Sequence, residues 1–232
     1  MKKQELLIKE TPAVLYGEEC GKAFLFVHGQ CGCKEEAERF ARVAVPAGWQ
    51  VLGVDLPGHG GRSDAAEFLP WDVTPELHNA LAFLKERCGQ IGIRANSIGA
   101  YFSLLAFARE KIEKCLFVSP LLDMENMIGG MMQSAGVTEQ QLKEASEIPT
   151  ASGQTLSWKY LCYARQYPVS AICPQTDILY GTRDALIPET VFTRFAKDNA
   201  CRLTRMEGGE HWFHTDEQLA FMQKWEQKCL HD

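Results

Sequence analysis

Short apolar runs recur along the chain, and segments with a helical periodicity separate most of them. The runs are nearly continuous in hydrophobic character, which is typical of strands in a parallel sheet whose two faces are both covered. They predict strands at residues 23–29, 49–60, 90–97, 114–120 and 176–184, with a more polar sixth strand at 201–209.

Four other segments have patterns that predict helices, at residues 34–45, 75–88, 98–109 and 215–230. In the second of these, Thr74 is suited to cap the helix and Pro75 to occupy its first position. The third is apolar on most sides and is therefore predicted to be buried. The alternation of strands and helices predicts an α/β fold in one domain, 1–232, in which helices flank a mostly parallel sheet.

Residues 121–168 break this alternation, because they are too long for an ordinary connection between two strands. They carry the run MENMIGGMMQSAG, a polar helical pattern and the aromatic segment SWKYLCYARQYP. We interpret the segment as a helical cap inserted at one end of the sheet. Its methionines and aromatic side chains suit either ordinary helix packing or a surface that faces a substrate. Such an apolar surface is equally suited to homodimer formation.

The composition excludes several functional classes. Hydrophobic residues make up 46% of the 232 residues, and the net charge of −6 has the wrong sign for binding a nucleic-acid backbone. No apolar run is long enough to span a membrane. The start MKKQELLIKET is too charged for a signal peptide. The nine cysteines are then predicted to be reduced and buried, and we expect a cytoplasmic protein.

Polar side chains at the predicted strand ends supply the groups that nucleophilic catalysis needs. Ligands of a parallel sheet bind at the carboxyl ends of its strands, where this chain has Ser97, Asp184 and His211. A serine hydroxyl reacts when a neutral imidazole takes its proton and a carboxylate holds the imidazole in the right tautomer. The rivals are less well placed: His214 lies where the last helix should begin, and Asp177 precedes its strand.

The stretch IRANSIGAYF surrounds Ser97 with small residues. A nucleophile exposed on a sharp strand-to-helix turn brings the residues two before and two after it close to neighbouring backbone, so both must be small. Ala95 and Gly99 meet that requirement. A serine that only caps the following helix would suit the same position.

Five short motifs occur in order along the chain: FVHGQCGC, DLPGHGGRSD, ANSIG, ILYGTRDALIP and GGEHWF. They resemble, in the same order, five segments of the α/β-hydrolases: the oxyanion-hole segment, the loop after the next strand, the nucleophile elbow, the turn that bears the acid and the loop that bears the histidine. The resemblance spans residues 24–213.

The resemblance implies an α/β-hydrolase fold with a helical cap and a catalytic triad. The triad residues would be Ser97, Asp184 and His211, and the backbone N–H groups of Gln30 and Ile98 would hold the oxyanion. No cofactor and no metal ion are implied.

Two features depart from the family pattern near the elbow. Ala95 replaces a glycine, and Asn96 stands where many members have histidine, but both leave the nucleophile intact. Arg94 occupies a strand position where an apolar residue is expected. Either it pairs with an acid at an edge of the core, or the strand has a different register.

The remaining polar residues of the motifs have structural interpretations. His28 is predicted to hydrogen-bond the oxyanion loop, and His59 to face solvent or stabilise its turn. Cys31 and Cys33 lie near His28, but a short glycine-rich turn cannot easily aim all three at one metal ion. We therefore interpret the cysteine beside the oxyanion loop as part of a pocket wall.

These features together predict a serine hydrolase that cleaves a small-molecule carboxylic ester through an acyl-enzyme. The resemblance is to small esterases with a helical cap, including those that split aromatic esters. The sequence does not distinguish a small carboxylic ester from lipase-like, thioester or amide substrates. A non-catalytic alternative is a protein that binds a ligand in the same pocket without turnover, because a fold does not fix a function.

Overall fold

The structure is a computed structural model that describes residues 1–62, 67–151 and 153–231. Ser63 and Asp64, the last two residues of the DLPGHGGRSD motif, lie outside the described residues. The chain forms two compact units, one from Met1–Leu121 with Ser170–Asp232 and the other from Leu122–Val169.

Eight strands of the first unit form one sheet, in the order β1-β2-β4-β3-β5-β6-β9-β10. The pairings of β1 with β2 and of β2 with β4 are antiparallel, and the other pairings are parallel. This confirms the prediction of a mostly parallel sheet. The strands of the chain are β1 (Lys3–Ile8), β2 (Thr11–Tyr16), β3 (Lys22–Val27), β4 (Gln50–Val54), β5 (Gln90–Asn96), β6 (Lys114–Val118), β7 (Glu147–Pro149), β8 (Thr155–Ser157), β9 (Thr176–Gly181) and β10 (Arg202–Met206).

The central strands are buried along nearly their whole length. Every residue of β4, β6 and β9 is buried, and β3 exposes only its first residue. Burial on both faces is the reason that these runs are nearly continuous in hydrophobic character. On one face Phe24 packs against Phe40 and Trp49, with ring centroids 5.0 and 4.6 Å away.

The helices follow the predicted alternation closely. The predicted helix at 34–45 begins as a 3-10 turn at Lys34–Glu36 and becomes α-helical at Ala37. The helices are α1 (Ala37–Ala44), α2 (Pro70–Lys85), α3 (Ile98–Ala106), α4 (Met124–Ala135), α5 (Glu139–Ala145), α6 (Trp158–Gln166), α7 (Glu189–Asp198) and α8 (Asp216–His231).

The predicted start of α2 is wrong. The helix begins at Pro70, after the extended residue Leu69, so Pro75 lies inside it. Thr74 is also inside, and its hydroxyl donates to the carbonyl of Pro70 at 2.7 Å instead of capping the helix. Either proline can start a helix. The earlier one does so here, and the interior proline removes one helical hydrogen bond.

Two strands and one helix of the first unit have no counterpart among the predicted elements. β1 is exposed over most of its length and lies at the edge of the sheet, so its sequence KQELLI lacks the apolar run of a central strand. β2 pairs with it antiparallel. The short helix α7 follows Pro188, an extended residue at its N-terminus.

The Leu122–Val169 unit contains α4, α5, α6 and the hairpin of β7 with β8. Arg165 of α6 donates to Glu125 of α4 and to Glu139 of α5, at 2.7–2.8 Å, which joins the three helices. The hydroxyl of Thr138 and the side chain of Gln141 form a capping box at the start of α5. The role of residues 121–168 as a cap stays a prediction.

Two expectations drawn from composition concern membranes and thiols. Among the described residues, no helix combines the length and the apolar character that crossing a bilayer requires. All nine cysteines are free thiols, but the prediction that they are buried holds only in part. Cys20, Cys31 and Cys162 are exposed because they lie in loops or on an outer helix face.

The turn between β5 and α3 depends on the small size of Gly99. A Cβ at this position would lie 2.8 Å from the carbonyl oxygen of Val27 and closer still to that of His28. Only a residue without a side chain lets α3 start so near the end of β3.

We expect Gly99→Ala to lower the free energy of unfolding by about 1–3 kcal/mol, because the new methyl group meets backbone that cannot easily move. Urea denaturation measures this. Gly129→Ala is the matched control: its Cβ would meet no atom within 4 Å in α4, so it should be neutral or stabilise by about 0.5–1 kcal/mol. Equal midpoints for wild type and Gly99→Ala would contradict the prediction.

Candidate active site

Ser97 lies on a strained turn that links β5 to α3. Its backbone has φ 49° and ψ −122°, a conformation that non-glycine residues rarely adopt. Its N–H donates to the carbonyl of Val118 and its own carbonyl accepts from the N–H of Leu121, both at 3.0 Å. The end of β6 and the segment that follows it therefore hold the turn in place.

His211 joins Ser97 to Asp184 through two short hydrogen bonds. The Ser97 Oγ lies 2.8 Å from His211 Nε2, and His211 Nδ1 lies 2.7 Å from Asp184 Oδ2. A carboxylate only accepts, so Nδ1 carries the proton and Nε2 is free to accept the proton of the serine hydroxyl. The structure thus brings together the three side chains that the sequence singles out.

The carboxylate of Asp184 is fixed on both oxygens. Its Oδ1 accepts from the N–H groups of Leu186 and Ile187, each at 2.9 Å, while Oδ2 faces His211. The side chain is only 2% exposed. With partners on both oxygens, the carboxylate is held in one orientation toward the imidazole.

The loop that bears the acid and the loop that bears the histidine are held together by their backbones. The N–H of Arg183 donates to the carbonyl of Gly209 at 2.7 Å. A Cβ on Gly181 would collide with the backbone of Gly209 and lie 2.8 Å from the nitrogen of Glu210. Two glycines at the ends of neighbouring strands therefore allow the contact between Asp184 and its histidine.

Gln30 and Ile98 lie on the two segments that meet beside the Ser97 hydroxyl. Ile98 is the first residue of α3, and Gln30 is an exposed residue of the loop after β3. The neighbouring Gly29 abuts the turn closely, since a Cβ there would lie 3.3 Å from Ser97 Cβ. The assignment of the two backbone N–H groups as oxyanion donors stays a prediction.

His28 is buried and supports this loop, in the manner that the sequence predicts. Its Nε2 accepts from the N–H of Leu56 at 3.0 Å, so Nδ1 carries the proton and donates to the carbonyl of Gly29 at 2.7 Å. Burial lowers the pKa of His28 to about 4. The neutral ring thus connects the end of β3 to the loop after β4 by hydrogen bonds.

A cavity of about 860 Å³ opens beside Ser97 and His211. Its outer wall includes the exposed side chains of Leu186 and Trp212, which are 60% and 75% exposed. Its polar wall includes Arg94, Asn96, Glu36 and Glu226, while Cys31 lines it as predicted. The cavity thus combines an apolar mouth with a charged wall.

Other polar residues near the strand ends are engaged elsewhere. The carboxylate of Asp55 pairs with Lys34 at 2.9 Å, and that of Asp177, at the start of β9, pairs with Arg202 at 2.7 Å. His59 is buried and donates to the carbonyl of Pro57, which supports the turn-stabilising interpretation. Within the described ranges, no cluster of three or more His, Cys, Asp or Glu could hold a metal ion.

The architecture matches solved structures over nearly the whole chain. Est1E from Butyrivibrio proteoclasticus, solved with ferulic acid bound, has 18% identity and a TM-score of 0.77, covering 97% of this chain and 96% of that chain. A putative hydrolase from Agrobacterium vitis has 15% identity and a TM-score of 0.76, covering 99% and 98%. The chain has the α/β-hydrolase fold.

More distant matches have the same fold. The thioesterase domain from the curacin biosynthetic pathway has 15% identity and a TM-score of 0.63, and the match covers 97% of this chain and 99% of that chain. No protein-family model matches the sequence, and no curated protein matches it. Ser97, Asp184 and His211 follow one another in the chain order typical of the α/β-hydrolase fold.

Sequence reasoning missed the partner of Arg94. The register of β5 agrees with the predicted strand, and Arg94 lies in the core, not at its edge, paired with Glu226 of α8. One signal could have indicated Glu226: it follows Met222 by one helical turn, on the same apolar stripe as Cys229. A charged residue on such a stripe needs a buried partner.

The depressed pKa of His28 predicts a pH dependence of stability. The folded state binds this proton only near pH 4, whereas the unfolded chain binds it near pH 6.5, so acid favours unfolding between these values. As the pH falls from 6.5 to 4, we expect His28 to lower the free energy of unfolding by roughly 3 kcal/mol. Urea denaturation across this range should show a smaller decrease in the free energy of unfolding for His28→Gln. Parallel losses in both proteins would exclude His28 as the source.

Proposed function

We propose that this protein is a serine hydrolase that cleaves carboxylic esters. The observation that supports this most directly is the hydrogen-bonded chain from Ser97 through His211 to Asp184. It supplies a hydroxyl, a base and an orienting carboxylate at the carboxyl-terminal edge of the sheet. The similarity to solved esterases supports the same class of chemistry.

In the proposed reaction, Ser97 Oγ attacks the ester carbonyl as its proton passes to His211 Nε2. Asp184 stabilises the imidazolium, and the N–H groups of Gln30 and Ile98 donate to the oxyanion. The imidazolium then protonates the leaving alcohol, and an acyl-enzyme remains. Water, deprotonated by His211, attacks this acyl group and releases the acid together with the regenerated Ser97 hydroxyl.

The mouth of the cavity favours an ester with an apolar or aromatic portion. Leu186 and Trp212 present large apolar side chains next to the acid and the histidine. Because Est1E has ferulic acid bound, we include hydroxycinnamate esters among the substrates to test on this chain. Lipase-like, thioester and amide substrates use the same steps. We further propose that the Leu122–Val169 unit acts as the cap of the enzyme.

A fluorophosphonate probe should form a covalent adduct on Ser97, because its hydroxyl faces an imidazole that can take the proton. Peptide mass spectrometry locates the adduct. Ser97→Ala should abolish labelling and lower ester turnover by about 10⁴-fold or more.

Ser119 provides the matched control. It also has positive φ, 44°, at the end of the neighbouring strand β6, but it is buried. Ser119→Ala should therefore label like wild type. A folded wild-type protein that is never labelled would instead support a binding protein that uses the pocket without turnover.

Asp184→Asn should lower kcat on the order of 10⁴-fold, because an amide that turns its NH₂ toward His211 no longer favours the productive tautomer. The shape of the side chain is retained, so the free energy of unfolding should change little. Steady-state kinetics and urea denaturation measure the two effects. The same exchange at Asp177, which pairs with Arg202, should leave kcat near the wild-type value. Similar losses in both variants would contradict the assigned role.

A further inference from the structure

Two exposed apolar side chains flank the candidate triad, and they come from different loops. Trp212 directly follows His211 and is 75% exposed. Leu186 lies two residues after Asp184 and is 60% exposed. Both border the cavity that contains Ser97. A single exposed apolar residue needs no explanation, whereas two beside one reactive serine indicate a surface that a ligand covers.

The neighbours of Trp212 keep its indole out of the core. On one side, His211 is held by Asp184 at 2.7 Å. On the other side, Phe213 is buried in the apolar cluster that includes Met222 of α8. Because both neighbours are anchored, the segment cannot turn the indole inward, and its exposure is fixed by the fold of this loop.

His214 holds the indole in one orientation. The two rings stack with their centroids 5.1 Å apart and their planes inclined by 26°. His214 Nδ1 donates to the carbonyl oxygen of Trp212 at 2.7 Å, and Glu210 Oε2 lies 3.4 Å from the same nitrogen. The N–H of His214 donates to Gln218 Oε1 of α8 at 3.1 Å. The imidazole is therefore fixed beside the start of α8, and the indole packs against it.

The rest of the indole is open. Trp212 is 75% exposed although the ring of His214 is stacked on it, so the surface turned away from His214 carries most of the exposure. A second aromatic ring can pack there in a stacked or edge-to-face arrangement. A saturated ring of the same size covers a similar area but lacks the favourable interaction between two π systems. The indole is thus suited to distinguish an aromatic group from an aliphatic one.

The chemistry of the proposed reaction indicates which part of an ester meets Trp212. The imidazole of His211 gives its proton to the leaving alcohol, so the alcohol part lies on the histidine side of the reacting carbonyl. The oxyanion lies on the side of the N–H groups of Gln30 and Ile98. Trp212 belongs to the loop that carries the histidine, and Leu186 to the loop that carries the acid. Both side chains therefore border the alcohol part.

We propose that Trp212 is a specificity-determining residue that selects esters with an aromatic ring in the alcohol part. The proposal rests on the proposed function. The indole packs on that ring, and Leu186 supplies a further apolar contact. His214 is a positioning residue, because it acts on the substrate only through the indole. None of the three takes part in proton transfer.

Two matched pairs of esters test the proposal. Benzyl acetate and cyclohexylmethyl acetate differ only in the ring of the alcohol part, and methyl phenylacetate and methyl cyclohexylacetate differ only in the ring of the acid part. The test is the change in each kcat/KM ratio on substitution, because the intrinsic reactivity of the esters then cancels. Trp212→Leu should lower the benzyl-to-cyclohexylmethyl ratio about 3- to 10-fold and change the acid-pair ratio less than about twofold. Trp212→Phe retains an aromatic ring and should keep most of the first ratio.

The role of His214 is tested by the same ratio. His214→Ala removes the stacked ring and should lower the benzyl-to-cyclohexylmethyl ratio about 2- to 3-fold, whereas His214→Phe should keep it. Leu7→Ala is the control, since it removes an exposed apolar side chain from the edge strand β1 and should match wild type. Fluorophosphonate labelling and the urea midpoint should stay near the wild-type values in every variant.

The outcomes separate this proposal from the proposed function. An unchanged benzyl-to-cyclohexylmethyl ratio in Trp212→Leu, or a change in the acid-pair ratio alone, would overturn the role of Trp212 and leave the hydrolase intact. The same holds for a wild type that labels at Ser97 but does not hydrolyse benzyl acetate. A wild type that neither labels nor hydrolyses any of the four esters would overturn both proposals.

Discussion

The backbone at Ser97 is the constraint on which the candidate site depends. A non-glycine residue at φ 49° costs on the order of 1–3 kcal/mol and persists only where its surroundings leave no alternative. Here Val118 and Leu121 bind the turn from the β6 side, and Gly99 allows α3 to start against the end of β3. The strain points the hydroxyl out of the sheet edge, toward the imidazole of His211.

The other members of the site are positioned by close backbone contacts between loops that are distant in sequence. Gly181 and Gly209 bring the acid and histidine loops together, and two N–H groups orient Asp184. Arg94 of β5 and Glu226 of α8 add a buried ion pair, 2.8 Å long, to these backbone contacts.

Much of the first unit could be predicted because buried strands have a recognisable apolar sequence. The central strands are apolar on both faces, and the residues at their carboxyl ends are the polar ones, which identified Ser97, Asp184 and His211 before any geometry. The strand β1 was not predicted, because an edge strand does not need an apolar run. The start of α2 was misplaced because Pro70 and Pro75 both fit a first helical turn, and the tertiary position of the chain decided between them.

The sequence by itself determined the order of elements, the sheet class and the chemical types at the strand ends, because hydrophobic periodicity and small residues around a turn are local signals. Only the tertiary structure decided which side chains meet. The pairing of Arg94 with Glu226, and the contact of Ser97 with His211, join residues from separate parts of the chain, so no local pattern specifies them. A buried charge indicates that a partner must exist, whereas the identity of that partner follows from how β5 and α8 pack.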